Sequence, residues 1–134
     1  MLADRHREAV EAARRLIQTR AKEGRHHVAA TVLTAAGGSY TAVNTDCVLG
    51  RAAICAEGIA VGMACAAEAE AEVVFCAAVN RRLVVIPPCG VCRELLLDYG
   101  PAALIAVPAE GADFRAVSLQ ALVPYAYKAG LRGV

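Results

Sequence analysis

Residues 55–61 read CAEGIAV, placing an acid, Glu57, two positions after a thiol, Cys55, at the entry to an apolar run. A carboxylate among alanines and aliphatics costs free energy unless something nearby needs it. Residues 87–94, PPCGVCRE, supply the other half of the pattern. Two prolines close one element there, and Cys89 and Cys92, spaced C-x-x-C, open the next.

Both stretches read as helix starts. Such starts carry unpaired N–H groups and the positive end of the helix dipole, and both features stabilise thiolates. Two thiolates one helical turn apart, with a third from another helix, make three corners of a tetrahedron. That is the open zinc arrangement, with one position left over. Glu57, in the first turn of the Cys55 helix, then has a task. It can reach a water at the open position without binding the metal, take its proton and pass it on.

The elements around these stretches follow from periodicity and turn signals. LADRHREAVEAARRLIQTRAKEG spaces its apolar residues as a helix and stops at Gly24. HHVAATVLTAAGGSYTAVNTD reads as two strands joined at Gly37-Gly38. AEGIAVGMACAAEAEA is a helix, apolar almost all round through Cys65, which predicts burial on several sides. EVVFCAAVN is a buried strand, followed by a turn and a short strand in RRLVVI. GVCRELLLDYG is a helix stopped by Gly100 and Pro101, and ALIAVP is a strand. FRAVSLQALVPYAY gives a strand and a short helix capped by Ser118. A short loose end is expected at Arg132 to Val134. The alternation implies a mixed sheet with helices on both faces, as one domain over residues 1–134.

Composition narrows the function. Hydrophobic residues make up 57% of the 134 residues and charged residues 20%, which argues against disorder. The net charge is +1, and the basic residues of the first helix alternate with acids. A long nucleic acid partner is therefore disfavoured, whereas a small molecule is not. The longest apolar run, Ala52 to Ala67, is interrupted by Glu57 and falls short of the about 20 residues that span a membrane. The charged, amphipathic N-terminal segment does not resemble a signal peptide. A soluble, cytoplasmic protein is expected. Six cysteines in such a compartment point to metal or catalysis before disulfides.

The pieces VNTD, CAE, PPCGVCRE and LVPYAY, with HHVAATVL before the glycine turn, together resemble the cytidine deaminase family in its small homotetrameric form. C-x-E followed by P-C-x-x-C is the zinc deaminase signature with Cys at the first ligand position. The resemblance implies a three-layer α/β/α sandwich with a mixed five-stranded sheet. It implies one Zn²⁺ per subunit on Cys55, Cys89 and Cys92, with Glu57 as the proton shuttle. The Ala56 backbone would hydrogen-bond the pyrimidine, and Asn44 and Asp46 would meet a ribose hydroxyl. Tyr127 stands where the family ends in an aromatic that reaches a substrate pocket, and His26 stands where an aromatic is usual. The implied reaction is hydrolytic deamination of cytidine or deoxycytidine to uridine or deoxyuridine with release of ammonia, in pyrimidine salvage. A homotetramer with shared active sites is implied too, and fits the apolar helix after Cys55.

Some positions depart from the family. Gly58 follows CAE where an arginine is common, and Arg93 or Arg51 is left to support the sulfurs. Asp46 is one methylene shorter than the usual acid, and Glu94 replaces a glutamine. These departures leave a blasticidin-type nucleoside, a modified nucleoside or a free base open as substrates. Two readings of another class stand beside deamination. One is a structural zinc module closed by Cys47 or a histidine. The other is a thiol–disulfide oxidoreductase using Cys89 and Cys92. Neither gives Glu57 a task. Cys65 and Cys76 read as core packing, His6 as a surface residue, and Glu94 and Asp98 as solvated.

Overall fold

A computed structural model describes residues 2–127. The loose end expected at Arg132 to Val134 lies outside them. The described chain runs α1 (Leu2–Arg20), β1 (Val28–Thr34), β2 (Ser39–Val43), α2 (Ala56–Ala67), β3 (Val73–Asn80), β4 (Val85–Ile86), α3 (Gly90–Tyr99), β5 (Leu104–Ala109), β6 (Ala112–Ser118) and α4 (Leu119–Leu122). The main sheet order is β2-β1-β3-β5-β6. Only β3 and β5 are parallel; β1–β2, β1–β3 and β5–β6 are antiparallel. The five expected strands form this path. The two-residue β4 is a sixth, paired antiparallel with the end of β3.

Layering follows from which faces are apolar. Helix α1 buries His6, Ala9, Val10, Ala13 and Ile17, a spacing of three and four that makes one stripe. That stripe packs against Ala29, Leu33, Phe75, Ala77 and Val79 of β1 and β3. On the opposite face, Ala60, Val61 and Ala64 of α2 and Leu96 of α3 meet Val32, Cys76 and Ile105. The result is the three-layer α/β/α arrangement. Since β3 and β5 are parallel, the connection between them must cross the sheet, and α3 is that crossover. None of the described helices is long and apolar enough to cross a membrane.

Several details differ from the sequence reading. Helix α1 ends at Arg20, before Gly24, which takes a left-handed φ of 74° in the following turn. Helix α2 ends at Ala67 and does not continue to Ala71. Glu68 instead turns its carboxylate to the β1–β2 hairpin, accepting hydrogen bonds from Thr34 Oγ1 at 2.8 Å and Tyr40 Oη at 2.7 Å. Gly38 is needed beneath that contact, because a Cβ there would lie 2.3 Å from Glu68 Oε2. Ser118 stands at the start of α4, yet its side chain makes no capping hydrogen bond. His6 is buried, not on the surface, and its ring stacks on Phe75 at 3.9 Å between centroids.

Burial, reinforced by the nearby Arg5 charge, lowers the pKa of His6 below its ordinary 6.5. Between the two pKa values the unfolded chain binds more protons than the folded one, so stability rises with pH there. The packing of neutral His6 is fully stabilising above about pH 6.5 and weakens as pH falls below it. His6→Phe should flatten this acid-side loss, read as the difference between urea midpoints at pH 7.5 and pH 5. A second expectation concerns Gly100, where a Cβ would lie 2.1 Å from the Val73 carbonyl oxygen. Backbone cannot yield as a side-chain tip does, so Gly100→Ala should cost about 1–3 kcal/mol in denaturant unfolding.

Candidate active site

Three elements converge on one end of the sheet. A two-way bridge between Thr45 and Ile54 closes the loop after β2, with N–H to O distances of 2.9 and 3.0 Å. It delivers Cys55 to the start of α2, beside Asn44. Pro87 and Pro88 then end β4, since neither can donate to a ladder, and deliver Cys89 to the start of α3. Cys92 follows within the first turn of α3 and is buried.

The three sulfurs lie within 4.8 Å of one another, and Cys55 Sγ is 3.6 Å from Cys89 Sγ. Thiolates bound tetrahedrally at the usual zinc–sulfur length of about 2.3 Å sit about 3.8 Å apart. The donor set therefore fits Zn²⁺ in both type and spacing. Among the described residues no fourth Cys, His, Asp or Glu joins the cluster. Cys47 stays outside, its thiol directed to the Leu49 carbonyl at 3.0 Å.

Electrostatics call for a cation here. Burial raises the pKa of Cys55, and the adjoining Cys89 raises it further. Burial and the Glu57 charge push Cys92 higher still. At Cys89 burial also opposes ionisation, but the Cys92 backbone N–H and the neighbouring thiols outweigh it and lower the pKa. Without a metal, these thiols could not all ionise near neutral pH. A dication reverses that preference, because it binds thiolates and not thiols.

Glu57 is 4% exposed, although it is a carboxylate in the first turn of a helix. Burial raises its pKa, against the opposing effect of its own backbone. Cys76 packs in the core and is held protonated by burial and then by the Glu57 charge. Glu57, Cys55, Cys89 and Asn44 are the polar lining of a cavity of about 290 Å³. Val28, Ile54, Ile86 and Pro87 form most of the remaining wall. That volume is near the lower end for ligand sites, and suits one ring with a compact appendage.

Residues 3–107 match the cytidine and deoxycytidylate deaminase zinc-binding region. The chain belongs to the cytidine deaminase family. As a member it is a zinc-dependent hydrolytic deaminase acting on a C–N bond, with Cys55, Cys89 and Cys92 forming its zinc site. It is 31% identical over 127 residues to the blasticidin-S deaminase of Bacillus cereus, covering 90% of each chain. Its fold is similar to that of the cytidine deaminase of Burkholderia pseudomallei, with a TM-score of 0.76 and 26% identity over 91% of this chain and 98% of that one. It also resembles a mutant cytidine deaminase from Mycobacterium tuberculosis, with a TM-score of 0.73 and 28% identity over 90% and 95% of the two chains.

The remaining residues singled out in the sequence fall at varied distances from this deaminase cavity. Ala56 and Asn44 line it. Asn44 Oδ1 accepts from the backbone N–H groups of His27 at 2.6 Å and Val28 at 3.0 Å, and Nδ2 donates to the Arg25 carbonyl. His26, Asp46 and Tyr127 are not among the lining residues. His26 Nδ1 lies 2.7 Å from the Asn44 carbonyl oxygen, and Asp46 Oδ2 lies 3.7 Å from His27 Nε2. Tyr127 is exposed. The Arg93 guanidinium bonds two backbone carbonyls, and Arg51 sits in an exposed turn. The apolar wall of Val28, Ile54 and Ile86 was not singled out in the sequence. No local signal separates a strand-end valine in a pocket from one in a core.

Purified protein should carry close to one equivalent of zinc per chain by atomic emission. Cys89→Ala and Cys92→Ala should each lose most of it, since two thiolates alone do not complete the site.

Proposed function

We propose that the substrate is a cytosine nucleoside, with cytidine or deoxycytidine converted to uridine or deoxyuridine and ammonia released. The observation that supports this reading best is the buried Glu57 carboxyl on the wall of a ring-sized cavity that also exposes Cys55 and Cys89. Zinc, when bound, supplies the Lewis acidity that makes water a nucleophile near neutral pH. Glu57 removes a proton from the attacking water and delivers it to ring nitrogen N3. It then carries the second proton to the departing amine, so that water and the amino group are exchanged for a carbonyl and ammonia. The raised pKa of Glu57 suits both directions of transfer. The Ala56 N–H, at the free start of α2, holds the pyrimidine carbonyl. Apolar side chains on the cavity wall exclude bulk water from the ring.

A second substrate, a blasticidin-type nucleoside, is favoured by two observations. One is the 31% identity to the Bacillus cereus blasticidin-S deaminase. The other is Asn44, whose side-chain oxygen already accepts two backbone N–H groups and is poorly placed to accept a ribose hydroxyl as well. Asp46 would then take the sugar contact through a shift or a bridging water.

The same proposal includes assembly and setting. Gly62, Met63, Cys65 and Ala66 form an exposed apolar face of α2 in the single chain, so Cys65 does not pack in the core as the sequence suggested. A homotetramer that covers this face and shares its active sites is the assembly we favour. Six cysteines without a disulfide suit a reducing cytoplasm, and pyrimidine salvage is the simplest role there.

Loss of ultraviolet absorbance should follow addition of enzyme to cytidine, deoxycytidine or blasticidin S, but not to free cytosine or aminopurines. Activity confined to the aminopurines would sink the proposal. Glu57→Gln should retain zinc while turnover falls by about 10²–10⁴. Near-normal turnover in that variant would remove Glu57 from the reaction.

A further inference from the structure

The turn that presents Cys89 follows two residues that cannot fasten it through a backbone N–H. Pro87 and Pro88 precede it and offer no N–H to any partner. Yet the site needs Cys89 Sγ to stay 3.6 Å from Cys55 Sγ, on a different helix. Among the described residues, a side chain that hydrogen-bonds the backbone of this turn is that of Arg93, the residue after Cys92. Its Nε donates to the Pro88 carbonyl at 2.8 Å, and one terminal nitrogen donates to the Leu122 carbonyl at 3.1 Å. Pro88 is buried, Arg93 is half-buried, and Leu122 is the last residue of α4.

We infer that Arg93 is a positioning residue for the metal centre: its guanidinium fork holds the Cys89 turn by the Pro88 carbonyl and ties that turn to the end of α4. The fork is what the two acceptors require. Arginine presents planar donors that diverge from one rigid group, whereas lysine has a single nitrogen on a flexible stem. A turn fixed before metal arrives lowers the ordering cost of binding, and outer contacts of this kind typically support metal affinity 10–100-fold. The positive charge also lies on the α3 side of a centre that carries three thiolates. The inference rests on the three cysteines as zinc ligands and is independent of which nucleoside is deaminated.

The test measures zinc affinity by competition with a chromogenic chelator in wild type, Arg93→Ala and Arg93→Lys. Circular dichroism and thermal melting of the zinc-free proteins monitor the fold. Arg93→Ala should bind zinc about 10–100-fold more weakly. Arg93→Lys, which keeps the charge and loses the fork, should recover only part of that loss. The sulfur-to-cobalt charge-transfer band of the Co²⁺-loaded variants should shift, reporting altered thiolate geometry. Wild-type affinity in Arg93→Ala overturns the inference, as does full recovery in Arg93→Lys, which would make charge sufficient. A lower zinc-free melting temperature with unchanged zinc affinity overturns it too, reducing Arg93 to general stability. If Arg93→Ala does not fold, Arg93→Lys alone decides by the same two readouts. A zinc-loaded Cys89→Ala protein would instead defeat the ligand assignment, which separates the two failures.

Discussion

Mutual repulsion among three closely held thiolates is the constraint on which the rest of the molecule depends. Sulfurs within 4.8 Å of one another do not ionise together unless a dication sits among them. Bringing them together requires a frame that fixes both helix starts. Two helices start at the same point, and both are packed on one face of the sheet through Ala60, Ala64 and Leu96. The small alanines let α2 approach the strands closely. The close approach of Gly100 to Val73 likewise fixes where α3 stops. Core packing is thus part of the site's chemistry, because it sets the distance between Cys55 and Cys89.

Glu57 illustrates how the same packing sets a proton affinity. The apolar surroundings that make α2 stable also remove water from its first turn. Burial is therefore the main cause of the raised pKa. A carboxyl in that state holds a proton more readily than an exposed one. Cys76, in the same layer, stays protonated for the same reason and remains a packing residue.

Much of this was legible in the sequence, and the pattern of success has a physical basis. The zinc ligands Cys55, Cys89 and Cys92 were readable because metal chemistry demands fixed residue types at fixed offsets from helix starts, and Glu57 lines the cavity beside them. The individual helices and strands were readable from periodicity and turn signals, whereas the three layers and the five-stranded sheet were implied by the family resemblance. His6 was misjudged because a lone polar residue on a charged helix gives no hint of a ring partner such as Phe75, 69 positions away in the chain. The length of α2 was overestimated because Glu68 to Ala71 are good helix formers. A tertiary contact, Glu68 with Thr34 and Tyr40, ends the helix first. Arg93 was recognised as a neighbour of the ligands, but its acceptors are backbone carbonyls that no side-chain pattern announces.

The Thr45–Ile54 bridge has a further consequence. It ties off residues 46–53 as a closed excursion whose two feet are fixed to each other. Changes of length or composition inside that excursion leave the anchor point of Cys55 undisturbed. Only Ala53 of that excursion lines the cavity, so the metal-holding frame is insulated from variation in the rest of the loop.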